Sequence, residues 1–502
     1  MCVILNILLN HVLTYFCRIK RRYFYRHYMK NRYLLLLAVV LLAGVKQLKA
    51  YQITFKVKGG ANQTYLLGYY YGDKTYIRDS SRTDATGKCI FKGRDTLPGG
   101  VYIIASQDKR LLFDFVVNEQ EFTMETDTAD YIGSIVIKGS PECAAFFAYS
   151  KFANEKGKIG MDLDKKMKQA KAMNDTAMAS KYLRELKDLQ KLMEDYRLNI
   201  IKTTPSYLIA KIFRMMQEID IPEPPIGPKG EILDSNFQYN YYKQHYFDGF
   251  DFTDDRISRT PIFHPKIENF ITKLTLQIPD SINAAADFLI KKTLKSKDIS
   301  KWCIYWITNH YETSQYMGMD AVFVHMVDEY YTRKEVSHWV DETLRFKITD
   351  RANTLRNTLI GIKAQNLVLP DSAMKYQVLY NIDADYTLVL FWDPHCGRCK
   401  EEIPKLKSLY QELNSQMKVS KKKKFEIYAV GSTTDYAEWR KYLKENQLPW
   451  LNVHDPKHES GYHRLYDINS TPVLYLLNRE KKIVAKRLSV EQLKDFIEKG
   501  IQ

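Results

Sequence analysis

The residues whose types and spacing carry chemistry are Cys396-Gly397-Arg398-Cys399. Two thiols one helical turn apart can close into a disulfide and reopen, and the thiolate is the species that attacks another disulfide. The preceding run, Thr387-Leu388-Val389-Leu390-Phe391-Trp392, reads as a buried strand. From Lys400 onward Ile403, Leu406, Leu409, Tyr410, Leu413 and Met417 form the apolar stripe of a helix. The pair therefore stands at a strand-to-helix junction, where backbone N–H groups favour a thiolate. Cys396, at the helix start, is expected to be exposed and to act as the nucleophile. Cys399, one turn in, is expected to be less accessible and to resolve the mixed disulfide. His395 and Arg398, if charged, would lower the thiolate pKa further. A zinc site would need two more ligands at suitable spacing, and no second cysteine pair exists, so neither a metal nor a cofactor is expected.

Such a pair needs a sheet behind it and a helix in front of it. Residues 361–502 read in that order: strands near 367–369 and 387–392, a helix over 396–417, a strand at 425–430, a helix at 436–447, a strand at 450–453, a short helix at 460–466, a strand at 473–477, a hairpin to 483–487 and a helix at 490–497. Alternating strand and helix ending in a hairpin implies a mixed sheet covered on both faces. Residues 51–140 read instead as short strands separated by Gly59-Gly60, Gly72-Asp73, Gly87 and Pro98-Gly99-Gly100, the pattern of a small β-sandwich. Tyr69, Tyr70, Tyr71 and Tyr76 read there as half-buried strand aromatics. Residues 141–360 read as mostly helical, with helices at 165–202, 205–218, 265–276, 281–294, 299–314, 321–331 and 336–347 and a stiff proline-rich loop at 221–228. The expected fold class is multidomain: a small β-sandwich, a mostly α-helical domain and an α/β domain. His245, His264, His325 and His338 lack metal-ligand spacing, and Asp251, Asp254 and Asp255 lack the spacing and glycine of a calcium loop.

The segment Phe391-Trp392-Asp393-Pro394-His395-Cys396-Gly397-Arg398-Cys399-Lys400-Glu401-Glu402-Ile403-Pro404 resembles the active-site segment of thioredoxin-fold proteins of the TlpA/ResA type. It matches Phe-Trp-x-x-x-Cys-x-x-Cys-x-x-Glu-x-Pro at each fixed position, and the resemblance covers about residues 361–502. It implies a thioredoxin fold and thiol–disulfide exchange at Cys396 and Cys399. Pro404 matches the proline that kinks the family's active-site helix. Ser470-Thr471-Pro472 matches the loop whose proline is cis and packs beside the cysteines. Thr471 would then hold an incoming peptide by strand-like hydrogen bonds, with Pro472 and Trp392 completing the substrate surface. Proton transfer at Cys399 needs a carboxylate; Leu390 stands where thioredoxin has its acid, and Glu402 occupies the glutamate position implicated in the TlpA/ResA group. Gly397-Arg398 departs from the common Gly-Pro, which leaves the reduction potential unread. The whole chain also resembles exported Bacteroidetes proteins that join a β domain, a helical domain of unknown function and a TlpA-like domain, with 251–261 and 311–320 as further points of likeness.

The formal charge of +16 does not point to nucleic acid, because residues 1–50 carry nine Lys/Arg and no acid, which leaves +7 over the rest. The Lys421–Lys424 run with Lys418 reads as a solvated loop. From Met29 the leader reads as a signal peptide: Lys30 and Arg32 precede an apolar stretch at 33–45, and cleavage is expected before Tyr51. No cysteine follows that stretch, which argues against a lipid anchor. Translation is expected to start at Met29, the alternative being a membrane anchor retained over 1–28. Cys2 and Cys17 would leave with the leader; Cys89, Cys143 and Cys303 read as buried small hydrophobes. The expected protein is a periplasmic protein-disulfide reductase whose partners are disulfide-containing exported proteins and a membrane electron donor. The rivals are an oxidant or isomerase using the same pair, and a binding protein whose thioredoxin domain is a docking module. A peroxidase is disfavoured, since no separate peroxidatic motif is present.

Overall fold

The computed structural model describes residues 50–415 and 423–499. The leader, Cys2, Cys17, Met417 and the lysines at 418, 421 and 422 lie outside the described residues. The chain divides into two compact units between Arg214 and Met215.

The first unit opens with strands β1 (Tyr51–Lys58), β2 (Thr64–Tyr71), β3 (Lys74–Arg82), β4 (Lys88–Gly93), β5 (Gly100–Ser106), β6 (Leu111–Val117), β7 (Glu121–Asp127) and β8 (Val136–Lys138). They form two four-stranded sheets, β4-β1-β7-β8 and β3-β2-β5-β6. In β1 every second residue, Tyr51, Ile53, Phe55 and Val57, turns inward. Those side chains share one core with Tyr102, Phe113 and Phe115 of the other sheet, which makes the β region a sandwich. Tyr69 and Tyr70 are half-buried, and Tyr76 stacks on Tyr69 with ring centroids 5.6 Å apart. Helices α1 (Pro141–Ala172), α2 (Thr176–Thr203) and α3 (Leu208–Met216) follow. The helix expected at 165–202 is interrupted: Asn174 takes a left-handed φ of 58° and Asp175 caps α2 by accepting the Met178 N–H at 3.0 Å. The helix is also longer than expected at its start, where Ser140 caps Pro141 onward.

The second unit begins with α4 (Phe237–His245), α5 (Phe263–Thr272), α6 (Pro279–Thr293), α7 (Lys297–Glu312), α8 (Asp320–Met326) and α9 (Glu342–Arg356). Asp254 caps a short 3-10 turn at Asp255–Arg259, a structural use of that acidic cluster. The helix expected at 336–347 starts only at Glu342, because Asp341 caps it (Leu344 N–H to Oδ1, 2.7 Å) and the Arg345 guanidinium pins the preceding turn at Ser337. Among the described residues no helix is long and apolar enough to cross a membrane.

The unit ends in β9 (Val368–Pro370), β10 (Tyr376–Val378), β11 (Ala384–Trp392), α10 (Gly397–Ser415), β12 (Lys423–Gly431), α11 (Tyr436–Asn446), β13 (Leu451–His454), α12 (Tyr462–Leu465), β14 (Val473–Leu477), β15 (Ile483–Lys486) and α13 (Val490–Lys499). The main sheet has the order β13-β12-β11-β14-β15; β11, β12 and β13 run parallel, while β14 and β15 complete it antiparallel. Central β11 is apolar on both faces for this reason. Leu388, Leu390 and Trp392 face a core built with α10 and α13, whereas Val389 and Phe391 face Tyr428, Tyr462 and Tyr475 on the other side. Each such fully buried side chain contributes about 1.5–3 kcal/mol relative to exposure. The strand therefore holds its end, and the cysteine segment after it, against a rigid sheet.

Candidate active site

Strand β11 stops at Trp392, whose carbonyl accepts the Ser432 N–H at 2.8 Å. The next turn is closed by its own groups: the Cys396 N–H donates to the Asp393 carbonyl at 3.1 Å, and the His395 N–H donates to the Asp393 carboxylate at 2.7 Å. Cys396 is thereby set immediately before α10. Its sulfur accepts the N–H of Cys399, the third helical residue, at 3.2 Å, which is the bond an N-cap side chain makes. The same sulfur lies 3.3 Å from the Thr471 carbonyl oxygen, to which its S–H donates. The Thr471-Pro472 peptide is cis.

The two thiols are free and differ in surroundings. Cys396 is half-buried, while Cys399 is only 1% exposed. Burial alone would raise the Cys396 pKa, but hydrogen bonds from the Cys399 thiol, the Thr471 side chain and the main-chain amides of Cys399 and Arg398 outweigh it, so the net displacement is downward. The Thr471 carbonyl pulls the other way, since an acceptor favours the protonated sulfur; the several donors prevail. Cys399 is pushed up to about 12, first by burial and then by the neighbouring Cys396 sulfur. One sulfur is therefore prepared to attack and the other is held protonated. Arg398 acts here through its main-chain N–H, and its side chain and that of His395 are exposed.

The fold thus gathers Cys396, Cys399 and Thr471-Pro472 at one point. Glu402 stands one turn further along α10, with its side chain 18% exposed. Its carboxylate pairs with Lys405 at 3.1 Å and accepts the Val490 N–H, at the start of α13, at 3.4 Å. Trp392, expected on the substrate surface, is fully buried beneath the site, and its indole N–H has no hydrogen-bond partner among the described residues. A side chain without accessible surface cannot touch a substrate, so that expectation is corrected. Leu390 is buried in the apolar core, so the acid of thioredoxin has no replacement on its own strand position. Tyr442 on α11 was not legible as part of this neighbourhood. Its ring lies 5.0 Å from that of Trp392, and burial, then the Cys399 sulfur, raise its pKa. No local motif marks it, because α11 reaches the site only through the fold. Among the described residues no group of three or more His, Cys, Asp or Glu side chains is placed to hold a metal.

Residues 383–483 match the family model described as thioredoxin-like. Residues 51–146 and 209–358 match two models described as domains of unknown function, DUF4369 and DUF5106. A thioredoxin-like protein of Haemophilus influenzae is 27% identical over 136 residues, covering 27% of this chain and 74% of that protein. Sporulation thiol-disulfide oxidoreductase A of Bacillus subtilis is 26% identical over 140 residues, covering 27% of this chain and 74% of that protein. A solved domain of a "possible thiol-disulfide isomerase" from Cytophaga hutchinsonii is 37% identical, covers 28% of this chain and 92% of that domain, and has a TM-score of 0.26. With its C-x-x-C pair on a strand-to-helix junction of a five-stranded mixed sheet, the C-terminal part of this chain is a thioredoxin-like domain, and a thiol–disulfide oxidoreductase is among its relatives.

Proposed function

We propose that this protein reduces disulfides of exported proteins in the periplasm through Cys396 and Cys399. The observation that carries the reading is the opposed state of the two sulfurs, with Cys396 accessible and shifted toward thiolate and Cys399 buried and shifted toward thiol. In the first step the Cys396 thiolate attacks one sulfur of a substrate disulfide. A mixed disulfide forms, the substrate S–S bond breaks, and the leaving sulfur takes a proton. In the second step Cys399 gives up its proton and attacks the Cys396 sulfur. The remaining substrate thiol leaves, and Cys396–Cys399 is left as a disulfide. Two electrons have passed to the substrate, and a membrane electron donor restores the dithiol. Thr471 offers its main chain to the substrate segment beside Cys396, with Pro472 next to it. Glu402 accepts the Cys399 proton, one turn along the same helix. The leader read from Met29 is what supports export.

The reading is tested by mixing the reduced chain with a disulfide-bonded protein. The substrate should gain two thiols while the chain loses two hydrogens by mass, and no transfer would refute it. A second reading, oxidant or isomerase, is favoured by one observation: the donors around Cys396 stabilise its thiolate and hence the reduced form, which raises the potential. A measured potential near about −270 mV supports the reductant, and one near about −120 mV the oxidant.

A further inference from the structure

Asp467 follows α12 with a left-handed φ of 51°, and its side chain is only 2% exposed. A buried carboxylate in such a place needs partners, and it has three. The Arg351 guanidinium from α9 grips both oxygens, Nη1 on Oδ1 and Nη2 on Oδ2, the latter at 3.2 Å. Arg487, just beyond β15, donates to Oδ2 at 2.7 Å. The Asn469 carboxamide donates to Oδ1 at 3.0 Å. The neighbour of Arg351 on α9, Asp350, is paired with Arg464 of α12. Consecutive residues of opposite sign on α9 thus meet two residues of opposite sign around α12. This cross-pairing admits one register, because sliding it would set like charges together. The Asp350–Arg464 pair is exposed and adds little by itself, so the Arg351–Asp467 contact is the consequential one.

What this clamp holds is the loop that reaches the reactive sulfur. Residues 467–472 join α12 to β14 without regular structure. Asn469 and Ser470 are exposed, and the Asn469 bond to Asp467 tethers that stretch. Two residues later the Thr471 carbonyl stands against Cys396. We propose that Arg351 is a positioning residue of the thiol–disulfide site: by holding Asp467 it fixes the 467–471 loop, and so sets where the Thr471 main chain meets an incoming peptide. The inference rests on the proposed function. It gives the helical region matched at 209–358 a part in the site's frame, through a contact between residues 116 positions apart.

The test uses the full chain with two oxidised substrates. One is a disulfide-bonded peptide long enough to lie along Thr471; the other is dithiobis-nitrobenzoate, which has no peptide backbone. Arg351→Ala should raise KM for the peptide about tenfold or more, while its rate on the small disulfide stays within about twofold. Arg351→Lys, which keeps the charge without the bidentate fork, should fall between wild type and Arg351→Ala on the peptide. An Arg351→Ala chain with unchanged peptide KM would overturn the proposal, as would an equal loss on both substrates, the mark of a purely structural role. Should Arg351→Ala not fold, Asn469→Ala at the exposed tether decides: a raised peptide KM supports the route and an unchanged one overturns it. A wild-type chain inactive on both substrates would refute the proposed function and this inference together. An active wild type with an indifferent Arg351→Ala would refute this inference alone.

Discussion

Two helix starts in this molecule are built on one plan and reach opposite chemistry. At α1 the order is Ser140-Pro141-Glu142-Cys143, and at α10 it is Cys396-Gly397-Arg398-Cys399. In each, the capping side chain accepts the N–H of a cysteine three residues on: Cys143 N–H to Ser140 Oγ at 3.2 Å, and Cys399 N–H to Cys396 Sγ at 3.2 Å. In each, that third-position cysteine is buried and its pKa is raised, for Cys143 first by burial and also by the charges of Glu119 and Glu142. The difference lies at the cap. Ser140 is an oxygen, 2% exposed, that donates to Glu119 at 2.5 Å. Cys396 is a half-buried sulfur facing Thr471. A helix N-terminus does not by itself make a reactive thiol; a sulfur in the capping position, open to solvent and aimed at by amides, does.

Exchanging the caps should have the most severe consequence. Cys396→Ser should lower disulfide exchange by at least about 10³-fold while the chain still folds, since a hydroxyl caps well. Ser140→Cys in that background moves the C-x-x-C spacing to α1, but in a closed site, and should restore nothing; restored exchange would show that the cap position alone suffices. Next in size is Glu402→Gln, which should slow resolution of the mixed disulfide about 10²-fold, as seen in stopped-flow traces, and leave its formation within about twofold. Titration sharpens the contrast further. Alkylation of Cys396 in the native chain should persist below the ordinary thiol pKa of about 8.5, whereas Cys143 should react only on unfolding. Cys396, with its folded pKa lowered, contributes stability above its unfolded pKa and loses it as pH falls through the folded value. Cys399 has the opposite sign: its contribution is whole below about pH 8.5 and is lost as pH rises toward about 12. Denaturant unfolding of the reduced chain should show stability falling above about pH 8.5, and less so in Cys399→Ser. The smallest effect is expected for Ser140→Ala, a loss of about 1 kcal/mol in thermal unfolding with no change in exchange.

The features legible beforehand were those written in short stretches of chain. Residues 387–404 carry a strand, a capped helix and the cysteine spacing together, and Thr471-Pro472 stands directly before its strand. The alternation in β1 announced a sheet with one buried face. Hidden features depend on distant partners or on a single backbone turn. Strand β3 is mostly exposed and has no apolar alternation to reveal it. The break at Asn174 turns on one left-handed residue inside an otherwise helical pattern, and the late start of α9 turns on the Arg345 contacts to Ser337. The resemblance puts Trp392 on the substrate surface, but strand alternation points it into the core with Leu388 and Leu390. Tyr442 and Arg351 come to the neighbourhood from other elements, and no local pattern records such a meeting.

The proposed division of labour is that Cys396 attacks and Cys399 resolves. It is tested most directly by isolating the Cys399→Ser chain from the native host and identifying, by mass spectrometry, what is bound to Cys396. Mixed disulfides between Cys396 and cysteines of exported proteins are expected, absent in the Cys396→Ser, Cys399→Ser double variant; an empty Cys396 in a folded Cys399→Ser chain would overturn these roles.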